Sequence, residues 1–442
     1  MQLVWTSHPV PRLQGVIRAP GDKSCSHRAL MFSGIANGTS EISGLLEGAD
    51  VMNTARAMAA LGADVKKTGP GSWTVTGVGA AGLKSPGEDI DFGNSGTAAR
   101  LMMGLMAGYP LEANLIGDES LSKRPMNRVI SPLERMGARF KHDGAGKLPI
   151  RLSGSSTLDA IEYAPEQASA QVKSCVLLAG LNAVGTTRLT ESRPTRDHTE
   201  KMLRGFGARL SVRPGSGNRQ VVEIEGGQLL QPVDTVIPGD PSSAAFLIAG
   251  ALISPSGGVV VENVMSNETR DGFFQAAARM GAAIGAEDTG DAAGERLIDL
   301  QAASGGLKGR AIPETLVASM IDEFPVLAVL AAFAEGETVV TGAEELRVKE
   351  SDRIAAIVAM LRVNGVGVEE RADGFVVLGC AGPPPGGGLV ETHHDHRIAM
   401  SALVMGTASR NPVSIDDAAM IATSYPDFAA HMHELGADIR EG

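Results

Sequence analysis

Apolar residues recur along the chain in two alternating kinds of helical stretch. One kind is apolar around most of its circumference: SHRALMFSGIA, SGTAARLMMGLMAG, SAQVKSCVLLAGL, PSSAAFLIAGALI, DEFPVLAVLAAFA and HRIAMSALVMGTA. A helix without a polar face belongs in a domain interior. The other kind is amphipathic and closes on a glycine: MAALGADVKK (58–67), LERMGARFKH (133–142), MLRGFGARLSV (202–212), AARMGAAIGA (277–286), AMLRVNGVGVEE (359–370) and MHELGADIRE (432–441). The marker residues Gly62, Gly137, Gly207, Gly281, Gly365 and Gly436 stand 75, 70, 74, 84 and 71 residues apart, a six-fold repeat. At each marker the pattern predicts a helix end with glycine in the left-handed position, then an alternating strand. A second strand follows a polar turn in GSWTVTG, LPIRLSG and DGFVVLG. One unit therefore reads as buried helix, strand, loop, amphipathic helix, strand, strand. Six units predict an α/β protein, three units to a domain, with helices inside and sheets outside.

Composition narrows the function. The 442 residues, 43% hydrophobic and 20% charged, leave room for two or three domains. No apolar run reaches the ~18 residues of a membrane span. The opening MQLVWTSHPVPRLQG lacks the charged and apolar regions of a signal peptide, so a cytoplasmic protein is expected. Three cysteines give neither a disulfide framework nor a CxxC spacing, and Cys175 and Cys380 read as core or incidental thiols. The net charge of -12 argues against nucleic-acid binding. Without Gx4GK[ST], GxGxxG or HExxH, chemistry on ATP, NAD or zinc is poorly supported. His393, His394 and His396 fit no common structural zinc spacing, so no metal is expected.

The polar residues gather at helix starts. Gly21-Asp22-Lys23-Ser24, Gly93-Asn94-Ser95-Gly96-Thr97, Ser169-Ala170-Gln171, Gly239-Asp240-Pro241-Ser242, Asp322-Glu323 and His394-Asp395-His396-Arg397 open the buried helices. Lys123-Arg124-Pro125, Thr195-Arg196-Asp197, Asn267-Glu268-Thr269-Arg270 and Lys349-Glu350-Ser351-Asp352-Arg353 precede amphipathic ones. Free N–H groups and the positive helix end make such places anion sites. Ser, Asp, Asn and Thr there are ordinary caps. Lys or Arg there runs against the helix dipole, yet Lys23, Arg124, Arg196, Arg270, Lys349 and Arg397 all do so. The pattern points to a small ligand with several negative charges. Asp322 and Glu350 lie among these cations as candidate proton carriers.

APGDKSCSHR (19–28), DFGNSGTAAR (91–100), KRPM (123–126), SAQVKS (169–174), TRDHTEKML (195–203), PGDPSSAAF (238–246), RVKESDR (347–353) and DHRIAM (395–400) resemble, in order over nearly the whole chain, the 5-enolpyruvylshikimate-3-phosphate synthase family. The resemblance implies an inside-out α/β barrel fold of two three-repeat domains. One is 20–236; the other is 1–19 with 237–442; the active site lies in the cleft between them, and the crossings near 19 and 237 are the hinge. It implies a monomer without a cofactor, acting on phosphoenolpyruvate and shikimate 3-phosphate. Carried over by motif, Lys23, Ser24, Arg28, Ser169, Gln171, Arg196, Asp322 and Lys349 would bind shikimate 3-phosphate. Lys23, Asn94, Gly96, Arg124, Gln171, Arg353 and Arg397 would bind phosphoenolpyruvate. Asp322 would be the base, Glu350 the acid, and Lys23 would touch both substrates.

Three positions depart from the common family pattern: Thr423 stands for Lys, Glu345 for Asn and Leu101 for Pro, the first two as in the family's divergent second class. Tolerant members tend to carry Ala where this chain has Gly96, so inhibition by glyphosate is expected. Two alternatives have other sequence signals. A sister enzyme transfers enolpyruvyl to UDP-N-acetylglucosamine with a loop cysteine, for which Cys25 is the candidate. A non-catalytic anion-binding homologue should have lost Lys23, Asp322 or Glu350.

Overall fold

The computed structural model describes residues 3–442. They form two compact units. The central unit is Gly21–Ile237 with Ala292–Gly294; the terminal unit holds the residues up to Pro20, Pro238–Asp291 and Glu295–Gly442.

In the central unit the apolar helices Lys23–Ile35, Gly96–Ala107 and Ala170–Gly180 are buried along nearly their whole length, and Gly96–Ala107 packs on both others. Gly104 permits the closest approach, since a methyl there would fall 2.1 Å from the Cys175 carbonyl oxygen. In the terminal unit Pro241–Ile253, Phe324–Phe333 and His396–Gly406 pack on one another in the same way. The helices are inside because no face of theirs is polar enough for water.

Each marker glycine adopts a positive φ, from 75° at Gly365 to 109° at Gly62, and a strand leaves each one. Those strands build six small sheets. The central unit's sheets have the spatial orders Thr235–Val236, Thr39–Ser43, Ser72–Thr76, Asp64–Gly69; Ile90–Asp91, Glu112–Ile116, Ile150–Ser153, Arg139–Lys141; and Glu162–Tyr163, Thr186–Glu191, Gln220–Glu225, Leu210–Pro214. The terminal unit's are Ala283–Ala292, Glu295–Ala303, Gly257–Ser266, Leu13–Arg18; Glu335–Val340, Gly374–Cys380, Gly367–Arg371; and Leu389–Val390, Val413–Ile415, Trp5–His8, Asp438–Glu441.

Two features depart from the repeat read in the sequence. A short strand precedes most of the buried helices and pairs in parallel with the strand that follows one; two residues suffice, too few to leave an alternating pattern. At the crossings these leading strands are exchanged. Leu13–Arg18 precedes the first buried helix but pairs with Gly257–Ser266 after the fourth, and Thr235–Val236 precedes the fourth but pairs with Thr39–Ser43 after the first. The exchange fixes where the chain changes units. The second departure is Arg353–Val363, expected to be amphipathic, in which only Ala359, Arg362 and Val363 are exposed. Among the described residues no helix is long and apolar enough to cross a membrane.

Candidate active site

The helix starts named above carry networks of polar contacts in each unit. In the central unit Asp22, Ser95 and Ser169 cap their helices with side-chain oxygens. The cations beside these caps have partners of their own. The Lys23 ammonium pairs with buried Asp50. The buried Arg28 guanidinium donates to the Ser24 carbonyl at 3.0 Å, to Thr199 Oγ1 at 2.7 Å and to Ser174 Oγ at 2.9 Å. Gln171 bridges two elements: its oxygen accepts from Arg100 at 2.6 Å and its amide donates to Thr97 Oγ1 at 3.0 Å. Arg124 donates to Asn94 Oδ1 at 2.7 Å and Ser120 Oγ at 3.1 Å, and the Asn94 amide donates to Asp118 at 2.8 Å. Gly96 opens its helix against these groups; a methyl there would lie 3.0 Å from Arg100 Nη1 and 3.3 Å from Arg124 Nη1. Arg196 is half-buried in the turn before His198–Gly205.

In the terminal unit everything centres on Arg353, the first residue of its helix and wholly buried. Its guanidinium reaches Asp395 at 2.8 Å, Glu350 at 2.5 Å and Asp322 at 3.2 Å. Burial opposes its charge, but Asp395, Glu350 and Asp322 together hold its pKa above the ordinary arginine value. Burial likewise opposes ionisation of Asp395, and Arg353 overrides it, leaving the carboxyl below the usual aspartate range. Asp395 also accepts from Ser351 Oγ at 3.0 Å and caps His396–Gly406 through the Arg397 N–H. Arg397 donates to the Asp322 carbonyl at 3.1 Å and lies 3.7 Å from Glu323. Lys349 pairs with Glu345 at 2.9 Å.

The structure thus gathers Lys23, Ser24, Arg28, Asn94, Gly96, Arg124, Ser169, Gln171 and Arg196 in the central unit, and Asp322, Lys349, Glu350, Arg353 and Arg397 in the terminal one. Arg270 behaves differently from the expectation that counted it among anion-site cations. It is buried and bonded to Asp240 and Ser242, both at 2.9 Å. His393 and His394 lie exposed in a left-handed turn while His396 is buried, so the histidine run is no cluster. Cys25, the candidate for the sister enzyme, is fully buried within Lys23–Ile35 rather than on a loop. Sequence reasoning missed Asp50 and Arg100 as partners of the site, and it named Thr97 and Asp395 at helix starts without giving them a partner.

A family model described as EPSP synthase (3-phosphoshikimate 1-carboxyvinyltransferase) matches residues 8–432. A 3-phosphoshikimate 1-carboxyvinyltransferase of Hyphomonas neptunium is 67% identical over 99% of this chain and 100% of its own. One of Parvibaculum lavamentivorans is 52% identical over 98% and 96%. The solved EPSP synthase of Acinetobacter baumannii superposes with a TM-score of 0.88 at 41% identity, covering 99% of this chain and 100% of that one. The enolpyruvyl transferase NikO of Streptomyces tendae, at 19% identity and a TM-score of 0.77, shares the fold. With a family match and relatives that run almost end to end, the chain belongs to the EPSP synthases and has their two-domain inside-out α/β fold.

Proposed function

We propose that Lys23, Asp322 and Glu350 carry, in this chain, the reaction of its family: transfer of the enolpyruvyl group of phosphoenolpyruvate to the 5-hydroxyl of shikimate 3-phosphate. The products are 5-enolpyruvylshikimate 3-phosphate, on the way to aromatic amino acids, and phosphate. Shikimate 3-phosphate is held by Ser24, Arg28, Ser169, Gln171 and Arg196, with Asp322 and Lys349 on its hydroxyls. Phosphoenolpyruvate is held by Arg124, Arg353 and Arg397, beside Asn94, Gly96 and Gln171, and Lys23 neutralises charge on both. The proposal requires Lys23 and Asp322, which belong to different units, to serve one pair of substrates.

In the addition, the 5-hydroxyl oxygen bonds to C2 of phosphoenolpyruvate while Asp322 takes its proton and Glu350 delivers one to C3. The tetrahedral intermediate then breaks its C2–O bond to phosphate as C3 gives a proton back. Binding two polyanions side by side supplies effective concentration and charge neutralisation. A positioned acid and base add roughly 10²–10⁴-fold.

The observation that carries this assignment is the grouping of Asp322 and Glu350 on the one guanidinium of Arg353. An anion that takes up Arg353 must displace a carboxylate, and a displaced carboxylate is free to move a proton. Ligand arrival and acid–base readiness are thereby one event. The same reading makes the protein a cytoplasmic monomer.

The test is phosphate release from the two substrates without metal or nucleotide, with Asp322→Ala alongside. Release that needs both substrates and falls at least about a hundredfold in the variant supports the assignment. Equal release by the variant would remove Asp322 from the chemistry.

A further inference from the structure

Behind the cluster of the central unit lies a buried ion triad that the mechanism does not use. Lys173, in Ala170–Gly180, has no exposed side-chain surface. Its ammonium reaches Glu191 at 2.9 Å, Glu200 at 2.8 Å and the Thr195 carbonyl at 3.2 Å. The ammonium donates hydrogen bonds to Glu191 and the Thr195 carbonyl, and Glu200 completes the set as an ion pair. The acceptors come from the end of strand Thr186–Glu191, the helix His198–Gly205 and the loop between them. Glu191 also accepts from the Thr195 hydroxyl, closing the loop from its other side. Two of these segments lead straight to the site: Arg196 follows Thr195, while Ser174 follows Lys173 and bonds Thr199 at 2.7 Å and the site residue Arg28 at 2.9 Å.

We infer that Lys173 is a positioning residue for shikimate 3-phosphate, holding the Thr195–Arg196 loop against the helix start that bears Ser169 and Gln171. The inference rests on the reading given under Proposed function. Lys173 itself is sealed from any ligand, so it acts only through Arg196 and the Ser169 turn. A buried ion pair is a poor source of stability, because desolvation cancels most of the attraction. Three elements joined at one ammonium are instead a fixed geometry, which lowers the ordering cost when the phosphate arrives. Burial pushes the Glu200 carboxyl up from its usual range, with Lys173 opposing only in part. Burial would lower the Lys173 pKa, but Glu200 and Glu191 hold it up.

Lys173→Met alone leaves two buried glutamates uncompensated and risks unfolding. The triple variant Lys173→Met, Glu191→Gln, Glu200→Gln removes the charges together and keeps side chains of similar size. Steady-state kinetics on the triple variant should show KM for shikimate 3-phosphate raised about tenfold or more, with kcat and KM for phosphoenolpyruvate within about twofold. A folded triple variant with an unchanged KM for shikimate 3-phosphate would overturn the inference. So would equal damage to both KM values and kcat, or a triple variant that cannot fold, since either makes the triad a general structural element. Turnover by the unaltered protein is measured first. Its absence would sink the proposed reaction; its presence beside an unaffected triple variant would sink this inference alone.

Discussion

The polar contacts of the two units follow two plans in different proportion. In the central unit Lys23 pairs with Asp50, while hydroxyl, carbonyl and amide oxygens are among the partners of Arg28, Arg100 and Arg124. In the terminal unit Arg353, Arg397 and Lys349 face Asp322, Glu323, Glu345, Glu350 and Asp395. A cation held by neutral dipoles is a preformed anion site. A cation held by carboxylates must exchange a partner before it can take a ligand, and the partner it releases becomes available for proton transfer. The first plan suits binding; the second, on the proposed reading, joins binding to chemistry.

The comparison breaks most sharply at Glu350. Glu350→Gln keeps the hydrogen-bonding shape toward Arg353 but removes the titrating group. Phosphate release should fall by roughly 10²–10⁴-fold in kcat. KM for shikimate 3-phosphate, to whose binding Glu350 is not assigned, should stay within about twofold. A comparable change in both would mean that the two clusters do not divide the labour this way.

Asp395 tests the stability side. Asp395→Ala leaves buried Arg353 without its fully buried carboxylate partner, and breaking such a pair costs about 3–5 kcal/mol, read as a shift in denaturant midpoint. The pH dependence follows from the depressed Asp395 pKa. Its contribution is complete above the ordinary aspartate pKa of about 3.9 and is lost as pH falls through the lower folded value. Asp395→Asn should therefore melt with a flatter acid limb than the unaltered protein below about pH 4. Parallel acid limbs would place the linkage on other carboxylates.

These two plans were only partly legible in the sequence. The repeat was, because a glycine at a left-handed helix end and a helix without a polar face are local requirements that recur six times. The exchanged leading strands were not, because neither the six-residue Leu13–Arg18 nor the two-residue Thr235–Val236 carries a local mark of its partner, about two hundred residues away. At the site, the cations at helix starts could be found because they contradict the dipole. Arg270 carried the same signal and is buried against Asp240 and Ser242; nothing local in the sequence distinguishes an arginine facing Asp240 from one facing a ligand. Asp50 was invisible for the converse reason: an acid in a first helical turn is what any helix favours.

Gly96→Ala sharpens the comparison from the central side. Its methyl would press on the guanidinium ends of Arg100 and Arg124, and crowding of this kind costs about 1–3 kcal/mol where neighbours cannot shift. Two flexible arginine ends can yield in part, so KM for phosphoenolpyruvate should rise about three- to tenfold, with KM for shikimate 3-phosphate unchanged. Inhibition by glyphosate, competing with phosphoenolpyruvate, should weaken more, because a larger analogue needs the space the methyl takes. Equal weakening of substrate and inhibitor would show that the arginines move as a unit and that space beside Gly96 does not discriminate.

The smallest effect belongs to the pair Lys349 and Glu345. Both are partly open to water, and such a pair is worth about 0.2–1 kcal/mol. On the terminal unit's plan Glu345 withholds Lys349 from the substrate, as Asp322 and Glu350 withhold Arg353. Glu345→Asn should then lower KM for shikimate 3-phosphate by about twofold at low salt, with the gain fading at high ionic strength. Thermal stability should scarcely change. A raised KM would reverse the argument: Glu345 would be aiming the lysine rather than restraining it, and the terminal unit would hold one cation on the binding plan after all.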